Sequence, residues 1–479
     1  MLDNYSTAAR TFASALSASP ALPASLRDDA TIRRADCLYY TGNYSEAKNL
    51  YQQAINNSAA DADYALYRHA VMLGLGNDTK GKIRELSEME SRWPGSRWLP
   101  SAMLEKAMTY ESLGQANDAT NAFREVSKRY QDTSQARKAL LNLALADMKR
   151  GNGEEAADEY KEIIRRWPSS EEAAMANDDL KKYYASTGEL PEYAQFLKSV
   201  PGATQLDNDE MEKLAFDGAE IAYTDNSANI SLLQNYVRDY PDGKYLAPAL
   251  LDIAYSLDQQ KKYEEAELML SRLVAERPHS AQAPEALLMK AEILEYKLGR
   301  EKDALLAYRE LEKIAGQEFG AEAAAGIMRT STDSSEQLEY ARKTRLAGGL
   351  SADQLEEASL VEANALLKMN RPGEGLEILT ALAANPSSEA GAKAAVELTQ
   401  YYLDTKQYAL AEKTALDFTD AGTPHEFWLA KGFIGLADAY HAQGKTLLAK
   451  EYLQSLRDNY PGKESEILNA ISSRLKSWK

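Results

Sequence analysis

The sequence is poor in the residues that build most reactive sites: one cysteine, four histidines and a shortage of positive charge in 479 residues. Each shortage closes a class of function. Cys37 alone allows no disulfide within the chain and no thiolate zinc site. Within Ala35-Asp36-Cys37-Leu38-Tyr39 it reads as a small hydrophobe on a helix. His69, His279, His425 and His441 stand far apart, with no Cys, Asp or Glu at ligand spacing, so no metal site is expected. Lys and Arg number 55 against 73 Asp and Glu, a net charge of −18. Phosphate binding needs clustered cations, so nucleic acid and anionic lipid are not expected as partners.

Long apolar runs are missing too. None reaches the ~18 residues that a membrane-spanning helix needs, so no transmembrane segment is expected. Met1-Leu2-Asp3-Asn4 lacks the basic start and apolar core of an export signal. There is no Gly-rich phosphate loop, no nucleophile elbow and no His-Glu-x-x-His. Catalytic, metal-binding and cofactor-binding residues are therefore expected to be none, and the chain is not expected to be an enzyme. Acidic pairs such as Glu154-Glu155, Glu264-Glu265 and Glu356-Glu357 are expected to open helices, where the dipole favours them.

What is present is repetition. Between Leu99 and Ser170 one pattern is written twice: Ala107, Tyr110, Gly114, Ala119, Phe123 and Tyr130 return as Ala144, Asp147, Gly151, Ala156, Tyr160 and Trp167. Steps of three and four place each set on one face of a helix, and Gly114 or Gly151 breaks the pair into two helices. The small alanines let the helices approach, the aromatic fills space, and Trp167-Pro168-Ser169-Ser170 halts one helix and caps the next.

This order of small residue, aromatic, Gly, Ala, aromatic and closing Pro resembles the tetratricopeptide repeat (TPR) family. The lengthened period and the aromatic-Pro-x-Ser linker are similar to the sub-type of bacterial envelope proteins such as the assembly lipoprotein BamD and the division coordinator CpoB. The stretch Gly422-Thr-Pro-His-Glu-Phe-Trp-Leu-Ala-Lys, followed by Gly435-Leu-Ala-Asp-Ala-Tyr, is similar to large TPR proteins of Bacteroidetes. The resemblance implies an all-α, right-handed α-solenoid of about a dozen TPR-like helix hairpins, each unit burying its apolar face against its neighbours.

Along the chain, Tyr5, Ala8, Phe12 and Pro20 read as the second helix of a hairpin whose first helix precedes the sequence, as in a fragment. Sub-arrays are expected at 1–200, 201–315 and 351–479, with a degenerate repeat or joint at 316–350. Ser465 to Trp478 reads as a capping helix. The spacing predicts a loop at Thr204 to Asp209 and plain helices at Ala286 to Leu298 and Glu336 to Leu346.

In TPR arrays the first helix of each unit lines the concave groove. Aligned on Ala107, Ala144, Ala254 and Ala437, the resemblance implies groove residues at Leu104, Met108 and Glu111; at Leu141, Leu145 and Met148; at Leu251, Tyr255 and Asp258; and at Ile434, Asp438 and His441. Such side chains suit an inserted peptide or helix, and equally suit packing between helices. Ile32 and Asp36, Leu104 and Met108, Leu141 and Leu145 stand where chaperone-carboxylate clamps carry Lys and Asn, which argues against that subclass. The expected function is a non-catalytic protein-interaction scaffold with a protein or peptide partner. From the resemblance it is placed in a bacterial cell-envelope assembly, periplasmic or associated with the outer membrane. The alternatives are a glycan- or peptidoglycan-binding module that uses the 28 tyrosines, which inward-facing Tyr44, Tyr51 and Tyr160 would weaken, and a regulatory array of a larger protein.

Overall fold

Twenty-six α-helices and one short π-helix follow one another in a computed structural model that describes residues 2–314, 316 and 318–478. Among the described residues there is no strand. Within each of two compact units, consecutive helices pack on one another in order, the arrangement of an α-solenoid. Two compact units divide the chain, 1–221 and 222–479, with the boundary inside helix Asn208–Asp225. That helix takes in Asn208 and Asp209, the last two residues of the stretch Thr204 to Asp209 expected as loop, because Asp207 caps it: its carboxylate accepts the Glu210 N–H at 2.8 Å.

The hairpins are set by a fixed register. Ala35 and Ala47, Ala107 and Ala119, Ala144 and Ala156, Ala254 and Ala266, and Ala437 and Ala449 repeat one twelve-residue step and are all buried. The missing bulk lets the paired helices close, and Tyr51, Phe123, Tyr160 and Tyr308 fill the space beside them. Between the two helices of a hairpin, one residue turns left-handed. Gly114 (φ 70°) and Gly151 (φ 82°) do so without strain, whereas Lys261 (φ 61°) and Lys406 (φ 60°) do so against a Cβ clash. Helix starts are capped where the linkers supply Ser or Thr: Thr133, Ser170 and Ser388 each accept a backbone N–H three residues on.

In the unit 1–221 the buried residues form one continuous core from Ala9 to Val200, with Tyr5, Ala8 and Phe12 of helix Leu2–Leu16 packed on it. In the unit 222–479 the register slips at Ala291. Ala291 and Ala304 are thirteen residues apart, and the extra residue is absorbed as a π-helix, Ile293–Lys297, at the end of helix Ala283–Glu292. The widened turn brings Glu295 to the Tyr308 hydroxyl, which donates to its Oε2 at 2.7 Å, and to Arg329, whose Nε lies 2.8 Å from its Oε1. The stretch 320–346 forms two helices, Gly320–Thr330 and Ser334–Leu346, the second starting two residues before the expected Glu336 because Asp333 caps it. Gly326 lies flat on Tyr308, where an added Cβ would stand 2.4 Å from the ring.

Candidate functional site

The first helices of the last hairpins, Ala352–Lys368, Glu389–Asp404 and Glu426–Ala442, lie side by side, with Ser465–Ser477 against the last. Two adjoining clefts open along them and share Lys393 and Trp428. The first, about 580 Å³, is bordered by Asp353, Glu356, Glu357 and Glu389. The second, about 460 Å³, is bordered by Glu397, Gln400, Lys431, Ile434, Asp438 and Arg474.

The charges of the second cleft are internally matched. Arg474 on the terminal helix holds Asp438 through two hydrogen bonds of 2.6 and 2.7 Å, and Lys431 holds Glu466 at 2.6 Å. Burial pushes the Glu397 carboxyl above its ordinary range, while the Asn364 amide donates to it at 2.8 Å and Lys393 stands 4.0 Å away. The charges of the first cleft are not matched. Glu389 accepts the Trp428 indole N–H at 3.4 Å, and Glu356 accepts the Asn385 amide at 3.2 Å through Oε1 while its buried Oε2 has no partner. Because the helix starts at Ala352, only Asp353 sits in its first turn. Glu356 and Glu357 fall in the second turn rather than opening the helix as expected from the sequence.

The residues aligned on the repeat fall in different settings. Leu104, Leu141, Leu251 and Ile434 are buried between helices. Leu145 and Met148 pack partly on the core, whereas Met108, 46% exposed, and Glu111 reach solvent. Tyr255 is half-buried with its hydroxyl on Glu285, and Asp258 is half-buried. Ile434 and Asp438 are brought together in the second cleft. His441 bonds Thr446 at 3.0 Å and stacks on Trp478, ring centroids 4.2 Å apart. Trp428 was missed because it lies N-terminal to the aligned Ile434; helices Ala352–Lys368 and Glu389–Asp404 were outside the alignment, so Glu389 was missed and Glu356 and Glu357 were read only as helix-opening charges. The signal for Trp428 was the Phe427-Trp428 pair in the opening turn of helix Glu426–Ala442.

Cys37 is buried, and burial with the neighbouring Asp36 charge pushes its thiol up. His69 is buried on Glu85, Nδ1 to Oε2 2.7 Å. Among the described residues no three of His, Cys, Asp and Glu converge as for a metal ion, and no helix is long and apolar enough to cross a membrane. Most of the aromatic supply is structural. Tyr51 and Tyr160 are buried with their hydroxyls on Asp36 at 2.6 Å and near Asp179 at 3.5 Å. Tyr44 is 45% exposed, beside Tyr39, and Tyr40 and Tyr296 are exposed as well.

Two tetratricopeptide-repeat models match the sequence, one at residues 104–171 and 251–318, the other at 29–59 and 433–463. No curated protein matches it. Solved structures with some likeness include the APC/C hetero-tetramer Cut9-Hcn1 (16% identity, 99% of this chain and 93% of that chain, TM-score 0.31). A tetratricopeptide repeat protein from Parabacteroides merdae ATCC 43184 (12%, 63% and 98%, 0.29) and Naa15/Naa10 bound to HypK-THB (14%, 94% and 73%, 0.32) are others. Scores this low carry no weight beside the repeat matches. Those matches cover the stretch where the pattern is written twice and the units built on Ala35, Ala254 and Ala437, each a helix hairpin with the small-residue register described above: the chain carries tetratricopeptide repeats.

Proposed function

We propose that the chain is a non-catalytic scaffold that holds a segment of a partner protein along the first helices of its last hairpins, within a bacterial cell-envelope assembly. The observation that carries the reading is the pair of adjoining clefts running over Ala352–Lys368, Glu389–Asp404 and Glu426–Ala442. Protein interfaces gather aromatic anchors in such grooves, and a rigid stack of helices presents them with little ordering cost. The envelope assignment is supported by the aromatic-Pro-x-Ser closing of Trp167-Pro168-Ser169-Ser170 and its likeness to envelope repeats.

The test is affinity capture with the tagged chain from separated cytosolic, periplasmic and membrane fractions, followed by mass spectrometry. Specific enrichment of a periplasmic or outer-membrane protein is the expected result. Enrichment confined to cytosolic proteins overturns the envelope assignment, and failure to enrich any protein from any fraction overturns the scaffold reading.

A further inference from the structure

We propose that helix Ser465–Ser477 is an exchangeable occupant of the groove on Glu426–Ala442, and that an amphipathic helix of the partner takes its place, an inference that rests on the scaffold reading. This helix and the Trp478 that follows it cover Ile434, Asp438 and His441, the three residues that alignment on Ala437 places in the groove. Ile467 and Ile471 share a core with Ile434, Arg474 holds Asp438 through two hydrogen bonds, and the Trp478 ring lies flat on His441. Lys431, on the same face of Glu426–Ala442, holds Glu466.

The helix is loosely built into the stack. Two of its residues are buried, Ile467 and Ile471, against seven in Glu426–Ala442 and six in Glu389–Asp404. Its start is uncapped: Glu464 makes no side-chain cap bond, whereas Thr133, Ser170 and Ser388 cap the helices that follow them. The turn that closes other hairpins is missing as well. Ser96, Ser170 and Gly243 each donate a backbone N–H to the carbonyl three residues back, on Trp93, Trp167 and Tyr240. After Tyr460 no such bond forms among the described residues, and its hydroxyl donates to the Glu464 carboxylate at 2.6 Å instead. A segment with few buried apolar groups and an open base opens before the elements it rests on. Its own pattern sets the chemistry of the replacement: two aliphatic residues four apart, a cation three further on for Asp438 and an aromatic four beyond that for His441, all on one helical face.

The test uses the whole chain. In hydrogen exchange with mass spectrometry, amides of 466–477 are expected to exchange roughly tenfold or more faster than those of 427–442. Fluorescence anisotropy then follows a labelled peptide copying residues 464–478. It is expected to bind I471E, in which the chain's own helix is released, roughly tenfold more tightly than the parent, whose groove is mostly occupied. The same peptide carrying I467E and I471E is expected not to bind. Circular dichroism establishes that the variant chain is folded, and R474E serves if I471E is not. Exchange of 466–477 as slow as that of 427–442, equal binding of the two peptides, or affinity for the folded variant no greater than for the parent overturns the proposal. Capture of a partner protein alongside any of these results removes the helix exchange and leaves the scaffold reading standing.

Discussion

At the residue scale, the largest single-residue effects are expected where polar groups are sealed between helices. Glu295 and Arg329, 10% and 19% exposed, form a two-point ion pair completed by the Tyr308 hydroxyl. Removing one charge strands the other, so Arg329→Leu is expected to cost about 3–5 kcal/mol in urea unfolding, against about 1 kcal/mol for Tyr308→Phe. Glu159 is the opposite case. Burial, then the Asp147 charge, pushes its carboxyl to about 8, and its buried Oε2 has no partner. Between the ordinary carboxylate value and pH 8 the folded chain keeps this proton and the unfolded chain loses it, so stability falls as pH rises through that window. Glu159→Gln is therefore expected to match the parent at pH 5 and to exceed it by about 1–2 kcal/mol at pH 8.5, measured by thermal unfolding at both pH values. The buried aromatics at 51, 123 and 160 were legible from helical spacing. The acceptors of the Tyr51 and Tyr160 hydroxyls were not, because Asp36 and Asp179 are selected by how neighbouring helices meet.

At the scale of elements, the chain repeats one hairpin and departs from it in a few places that carry a measurable cost. Lys406 occupies the left-handed turn position that Gly114 and Gly151 occupy elsewhere. Lys406→Gly relieves about 1–2 kcal/mol of backbone strain and gives back part of it to unfolded-state entropy, so a net gain of about 0.5–1 kcal/mol is expected in denaturant unfolding. Gly326→Ala is expected to act in the other direction. Its methyl would meet the Tyr308 ring, and overpacking of this kind costs about 1–3 kcal/mol. Helix boundaries were legible to within a few residues because Gly, Pro and Ser mark them. The π-helix at Ile293–Lys297 was not, although the thirteen-residue step from Ala291 to Ala304 was visible. One extra residue can lengthen a loop as readily as a helix, and packing of Leu294 and Ile293 into the core decides for the helix.

For the whole molecule, each hairpin contacts chiefly the next, so damage is expected to stay local. In hydrogen exchange, Gly326→Ala is expected to accelerate exchange in helices between Ala283 and Lys368 and to leave those of the unit 1–221 as in the parent. Uniform acceleration through both units would contradict the nearest-neighbour picture. The repeat family and the all-helical architecture were legible because a period of 37 residues is written into small and aromatic positions. The clefts were legible only in part. Ile434 and Asp438 followed from alignment, but Trp428 and the acids near it sit in the first two turns of their helices, and whether those turns converge depends on how successive helices are offset.

The central claim is that the first helices of the last hairpins hold a partner protein. Cross-linking with mass spectrometry in intact cells tests it most directly, with the parent chain and then with Trp428→Ala and Met108→Glu. The account predicts cross-links from a discrete partner to helices Ala352–Lys368, Glu389–Asp404 and Glu426–Ala442, lost in Trp428→Ala and retained in Met108→Glu. Cross-links that fall on the second helices of the hairpins, or that persist unchanged in Trp428→Ala, would contradict it.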